Sequence, residues 1–147
     1  MKVRETMTRN VAIASPDHTI ADAALLMAEH DFGALPVGEN NRLVGMITDR
    51  DIALRAVAHG LGPDTPVHAI MTPDVKYCFD DEDTAHVARN MGDQRIRRLP
   101  VVNRSKQLVG ILSLGDVAVT QTQPAGKALA GISRPGGPHS QSDGQLI

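Results

Sequence analysis

The stretch whose reading decides the fold is LVGMITDRD, residues Leu43 to Asp51. A short apolar run ends in a hydroxyl residue, Thr48, and an aspartate, Asp51, follows three positions later, so a buried strand runs directly into a helix start. The chain then says nearly the same thing again, as LVGILSLGD from Leu108 to Asp116, with Ser113 and Asp116 in the matching places. Such a pair forms a capping box, in which the hydroxyl accepts a backbone N–H and the carboxylate accepts another in return. The carboxylate also suits a vicinal sugar diol, and the free N–H groups of the helix start suit a phosphate. Thr19-Ile20-Ala21-Asp22 has the same spacing without the preceding strand, so the spacing alone does not define a site.

Working outward, the repetition extends well beyond this motif. Glu5 to Val37 aligns without a gap on Ala69 to Val101 at an offset of 64, which places Met7 on Met71, Thr8 on Thr72, Met27 on Met91 and Pro36 on Pro100. One extra residue in the second copy raises the offset to 65 and brings the two LVG runs together. The expected organisation is a first repeat over residues 3–60, a linker at 61–66, a second repeat over 67–120 and a Gly/Pro/Ser-rich C-terminal tail over 121–147. Gly60, Gly62, Pro63 and Pro66 mark the linker, because none of them continues a helix.

Each repeat reads as strand, helix, strand, strand, helix. Apolar residues at Ile20, Ala23, Ala24 and Met27 fall on one helical face, and the spacing predicts helices over 20–30 and 84–93. Short strands are expected near 11–14 and 75–79, and ALPV and LPVV pair with the LVG strands as hairpins across polar turns. A second helix over 49–59, and a shorter one after Leu114, completes each unit. The fold class is α+β, with two β-α-β-β-α repeats. A repeat of roughly 55 residues buries too little apolar surface to be stable by itself, so the two are expected to pack sheet to sheet about a pseudo-two-fold axis, leaving clefts between them.

Composition excludes several classes. A net charge of -2 supplies no basic surface for nucleic acid or an anionic membrane, and two Phe, one Tyr and no Trp supply no stacking platform. No apolar run approaches the ~18 residues of a membrane span, and the first ten residues carry no apolar signal core, so a cytoplasmic location is expected. The single cysteine, Cys78, lies between Tyr77 and Phe79 and reads as a packed thiol. The six histidines are scattered and no metal-ligand spacing is visible, so no metal is expected. No nucleophile-and-base pair suggests catalysis. Neither GxxxxGK[ST] nor GxGxxG occurs, so a nucleotide would be held in some other way.

The order Met-Thr, helix, GALPV or RRLPV, then LVGMITDRD or LVGILSLGD, resembles a tandem pair of cystathionine-β-synthase (CBS) domains, a Bateman module, over about residues 3–118. It is similar to small stand-alone bacterial proteins made of little besides the CBS pair. The resemblance implies a regulatory module that binds an adenine nucleotide (AMP, ADP, ATP or an NAD-type dinucleotide) or S-adenosylmethionine between the repeats, requires no cofactor, forms a homodimer and signals to an effector protein. It implies that Asp51 and Asp116 take ribose hydroxyls and that Thr48 and Ser113 contact ribose or phosphate. Ala34, Leu35 and Pro36, with Arg98, Leu99 and Pro100, would frame adenine. Thr8, Asn10, Val11, Thr72, Asp74 and Val75 would supply the remaining walls.

The two copies differ in charge. Gly33-Ala34 in the first corresponds to Arg97-Arg98 in the second, so Arg97 and Arg98 are the candidates for an anionic group, while Asp74 would repel one. The alternative role for Arg95, Arg97 and Arg98 is a solvated surface, or ion pairs with the acidic run Asp80 to Asp83. The region beyond Thr120 reads as a flexible tail in which Ala128, Leu129, Ala130 and Ile132 form a short apolar piece able to dock. A second functional reading is a ligand-free interaction protein that uses the paired repeats and tail as a docking surface.

Overall fold

The computed structural model describes residues 1–133 and contains two three-stranded sheets with helices, in line with the α+β class. In chain order the elements are α1 (Ile20–His30), β1 (Ala34–Glu39), β2 (Arg42–Thr48), α2 (Asp49–Asp51), β3 (Thr72–Pro73), β4 (Cys78–Phe79), α3 (Thr84–Gln94), β5 (Arg98–Val102), β6 (Leu108–Ser113), α4 (Leu114–Thr120) and α5 (Thr122–Ile132). The local signals act as the sequence suggests. Thr19 and Asp22 form the capping box of α1, and Asp83 caps α3 by accepting the His86 N–H at 3.3 Å. α1 and α3 end on left-handed residues at matching positions, Asp31 (φ 54°) and Arg95 (φ 58°).

The chain forms two compact units, and they do not follow the sequence repeats. One unit comprises Met1–Arg9, Tyr77–Arg104 and the chain from Val109 onward; the other comprises Asn10–Lys76 and Ser105–Leu108. The opening segment of each repeat therefore belongs with the body of the other, and both units are built to one plan. In the unit around β2, the order β1-β2-β3 pairs Thr72 with Met46, and Ala14 adds a parallel bridge to Val37. In the unit around β6, Thr8 bridges Ile111, and Cys78 pairs in parallel with Val101. The strand expected over 11–14 is reduced to Ala14, and that expected over 75–79 to Cys78–Phe79.

Glycine makes the exchanged pairing possible. A Cβ on Gly110 would lie 2.7 Å from the Thr8 carbonyl oxygen and 2.8 Å from the Met7 sulfur. On Gly45 it would lie 2.8 Å from both the Thr72 carbonyl oxygen and the Met71 sulfur. The glycine of each LVG run is thus where the incoming Met-Thr segment lies flat on the strand. β1 and β2 form the expected antiparallel hairpin, with a register shift at Val37/Gly38 and a turn through Asn40 and Asn41, both at positive φ. β5 and β6 are hydrogen-bonded neighbours in the second sheet.

Each unit has its own apolar core. Ile20, Met27, Leu35, Val37, Ile47, Val67 and Ile70 fill one, and Val3, Val87, Met91, Leu99, Val101, Leu112 and Val117 fill the other. Cys78 is buried in the latter, and burial together with Glu82 and Asp80 pushes its thiol up to about 12. The helix expected over 49–59 is helical throughout but changes winding, from α2 to a π-helical Ile52–Ala56 and a 3-10 turn Val57–His59 that ends at Gly60 (φ 74°).

The expectation of a flexible tail is corrected for its first part, because α5 is a helix docked on α3 and α4, with Ala125 and Ala128 buried. Pro124 lies in its first turn, where no intrahelical N–H is lost. A Cβ on Gly92 would meet the Ala128 Cα at 2.9 Å, and one on Gly131 the Gly92 carbonyl oxygen at 2.7 Å, so small residues set a close helix crossing. The rest of the expected tail, 134–147, lies outside the described residues.

Two measurements check this account. Gly110→Val is expected to destabilise the protein by roughly 1–3 kcal/mol in urea unfolding, since the added methyls displace Met7–Thr8. Native Cys78 is expected to resist a thiol reagent at pH 8 and to react once the chain is unfolded; because its folded-state value lies above the ordinary 9.0, stability also falls as pH rises from about 9 towards 12.

Candidate functional site

The hydroxyl–aspartate pairs form caps in both units. The Ser113 N–H donates to Asp116 Oδ2 at 3.0 Å and the Asp116 N–H to Ser113 Oγ at 3.0 Å. At the other corner the Thr48 N–H donates to Asp51 Oδ2 at 3.0 Å and the Asp51 N–H to Thr48 Oγ1 at 2.9 Å. A carboxylate has about four lone-pair sites, so one capping bond leaves most of its accepting capacity open. The cap also holds the carboxylate in one orientation, which lowers the ordering cost of any further bond.

The exchanged opening segment brings Thr8 to the Asp116 corner. The Thr8 hydroxyl lies 3.4 Å from both Asp116 carboxylate oxygens, although the two residues are 108 positions apart. At the other corner Thr72 pairs with Met46, two residues before Thr48, as Thr8 pairs with Ile111, two residues before Ser113. Asp51 Oδ1 lies 3.8 Å from the Arg55 Nε, and its side chain is 15% exposed. Arg55 Nη1 also donates to the carbonyls of Ile70 (3.3 Å) and Met71 (3.4 Å), so this guanidinium holds the opening segment Val67–Met71 to the start of the helix.

The other expected site residues divide between the units. Thr8, Arg97, Arg98, Leu99, Pro100, Ser113 and Asp116 belong to one; Asn10, Val11, Ala34, Leu35, Pro36, Thr48, Asp51, Thr72, Asp74 and Val75 belong to the other. Asn10 and Val11 are therefore in a different unit from Thr8. Leu35, Pro36, Leu99 and Pro100 are buried, so their side chains serve the cores and present no open wall. Asn10 and Asp74, at matching positions, are exposed and share left-handed backbone (φ 56° and 52°).

Arg97 and Arg98 are exposed, and among the described residues neither forms an ion pair. The acidic run is held otherwise: Arg104 makes two 2.8 Å bonds to Asp81 and stacks 4.0 Å from the centroid of the Phe79 ring, and the chain's amino terminus lies 3.5 Å from Asp83. The Arg104 guanidinium draws the Asp81 carboxyl below its usual range, and the His86 N–H does the same for Asp83. Two residues were not anticipated. Arg55 looks like an ordinary helix-surface residue in the sequence. Asp49, beside the cap, lies over Gly33, and only the paired glycine could have signalled that closeness.

Comparison with known proteins agrees with this architecture. The CBS-domain profile matches residues 3–57 and 67–121. The CBS domain-containing protein YhcV of Bacillus subtilis is 45% identical over 133 residues, 89% of this chain and 94% of that protein. Hypoxic response protein 1 of Mycobacterium tuberculosis is 38% identical over 117 residues, 78% of this chain and 81% of its own length. A crystal structure of hypoxic response protein I with two coordinated zinc ions superposes with a TM-score of 0.74 at 34% identity, over 82% of this chain and 98% of that one. The CBS domain pair of MJ0100, in complex with 5′-methylthioadenosine and S-adenosylmethionine, gives 0.73 at 29% identity, over 84% and 97%. PAE2072 from Pyrobaculum aerophilum, complexed with AMP, gives 0.74 at 27%, over 90% and 98%. Two CBS-domain matches on one chain, each with its capped strand-to-helix corner, make this protein a tandem member of the CBS-domain family.

Proposed function

We propose that the chain is a regulatory module, not an enzyme, that binds an adenosyl compound at the Asp116 corner, the Asp51 corner or both. The observation that carries this reading is the Thr8 hydroxyl set against the capped carboxylate of Asp116 from the far end of the sequence. That juxtaposition contributes nothing to the local cap, and it presents a carboxylate beside hydroxyl groups, a set suited to a vicinal diol. Asp116 and Asp51 accept the ribose hydroxyls, and Ser113, Thr48, Thr8 and Thr72 line the sugar and its 5′ substituent. Adenine rests against the backbone of Ala34–Pro36 or Arg98–Pro100. The complexes of MJ0100 with 5′-methylthioadenosine and S-adenosylmethionine, and of PAE2072 with AMP, support this chemistry.

The output of such a module is a change in its ensemble that an effector protein reads, and a homodimer in the cytoplasm is its proposed working form. Among the described residues no helix is long and apolar enough to cross a membrane. A second reading, a docking protein with empty corners, is favoured by the exposed Leu25, Leu54, Val57 and Leu61, all in the unit around β2.

A thermal-shift series with AMP, ADP, ATP, S-adenosylmethionine and NAD separates the readings. A ligand at 100 times its dissociation constant is expected to add about 2.7 kcal/mol, a rise of several degrees in Tm. Asp116→Asn and Asp51→Asn retain an oxygen for the cap and are expected to keep the fold while reducing the shift. If no adenosyl compound at millimolar concentration raises the Tm, the docking reading stands instead.

A further inference from the structure

We propose that the two corners select ligands of opposite charge character: the Asp116 corner takes an adenosyl compound bearing phosphate, and the Asp51 corner takes one without it, neutral or cationic at the 5′ position. This rests on the adenosyl-binding reading above and assigns the residues that discriminate, Arg97 at one corner and Asp49 at the other.

The backbone frames match, so the side chains make the difference. The Leu114 N–H donates to the Arg97 carbonyl at 2.9 Å, and the Asp49 N–H donates to the Gly33 carbonyl at 2.9 Å. Position 97 is thus hydrogen-bonded to the residue after Ser113, as position 33 is to the residue after Thr48. In the unit around β2, a Cβ on Gly33 would lie 2.8 Å from Asp49 Oδ2, so the Asp49 carboxylate fills the space that a side chain at 33 would enter. Asp49 Oδ1 also accepts the Arg50 N–H at 2.8 Å. An anion of the protein therefore already stands at this junction. Asp51 and the exposed Asp74 add two more carboxylates to the same unit.

The cation nearest the Asp51 corner is committed. Arg55 faces Asp51 and two carbonyl groups; Arg50 is exposed, as Arg97 and Arg98 are, but it directly follows Asp49, whose carboxylate offsets its charge. At the other corner the residues corresponding to Asp49 and Arg50 are Leu114 and Gly115, which bring no carboxylate. Arg97 and Arg98 are exposed there, and among the described residues no carboxylate pairs with them. A planar guanidinium binds phosphate through two parallel bonds, whereas a carboxylate repels it. At a partly exposed site, one such charge changes affinity by about tenfold.

Isothermal titration of the full chain with AMP and with 5′-methylthioadenosine tests this directly, because the two share adenosine and differ at the 5′ carbon in charge. The wild-type chain is expected to bind one AMP. Arg97→Ala, at an exposed position, is expected to weaken AMP binding about tenfold while leaving 5′-methylthioadenosine within twofold, and Arg97→Lys to restore most of the loss. Asp49→Asn is expected to raise the AMP stoichiometry towards two per chain. Two equivalent AMP sites in the wild-type chain, or an Arg97→Ala loss equal for both compounds, overturns the charge selection and leaves adenosyl binding intact. If neither compound binds, adenosyl binding itself fails and charge selection falls with it.

Discussion

The structure depends on a short backbone pairing over a glycine. The Thr8 N–H donates to the Ile111 carbonyl at 2.9 Å and the Ile111 N–H returns the bond to the Thr8 carbonyl at 3.0 Å, beside Gly110, where there is no side chain to hold the segments apart. The equivalent pairing of Thr72 with Met46 beside Gly45 repeats the arrangement. Each pairing carries a buried residue into the core of the unit it joins, Val3 in one and Val67 in the other. A repeat cut out along the sequence boundary would lose a sheet edge and part of its core. The two repeats are one folding problem, and the composite corners are its by-product.

Those corners show a single carboxylate in two uses. Asp116 closes a helix start through one oxygen and stands beside Thr8 as well, and the cap that stabilises the helix is what fixes the carboxylate's direction. Capping and ligand binding are therefore not competing explanations of the hydroxyl–aspartate spacing. Thr19 and Asp22 make the same cap where an incoming segment also passes, but there the pairing runs through backbone, with the Ile20 N–H donating to the Thr65 carbonyl at 2.8 Å and the Val67 N–H to the His18 carbonyl at 2.7 Å.

Much of this was legible in the sequence. The repeat offset, the capping boxes, the Asn40-Asn41 hairpin and the bounds of α1 follow from local signals whose physical basis spans only a few residues. The exchange of opening segments was not legible, because Met7-Thr8 and Met71-Thr72 are the same dipeptide and either could lie on either LVG strand. The helix α5 was missed because Gly126, Gly131 and Pro124 lower intrinsic helix propensity, whereas the docked structure uses Gly131 for close approach to Gly92. The burial of Leu35 and Leu99 was likewise hidden, since alternation along a short strand does not say which face meets a ligand. The Arg97-for-Gly33 difference was visible, but its partner Asp49 became meaningful only once the Gly33 and Asp49 backbones were seen to be bonded.

The claim that a site is assembled from both ends of the sequence is tested most directly by amide chemical-shift mapping of the isotope-labelled chain during titration with AMP. The account predicts that the Thr8, Ser113 and Asp116 amides shift together along one binding curve. Movement of Ser113 and Asp116 with Thr8 unchanged, or shifts confined to residues remote from all three, would contradict it.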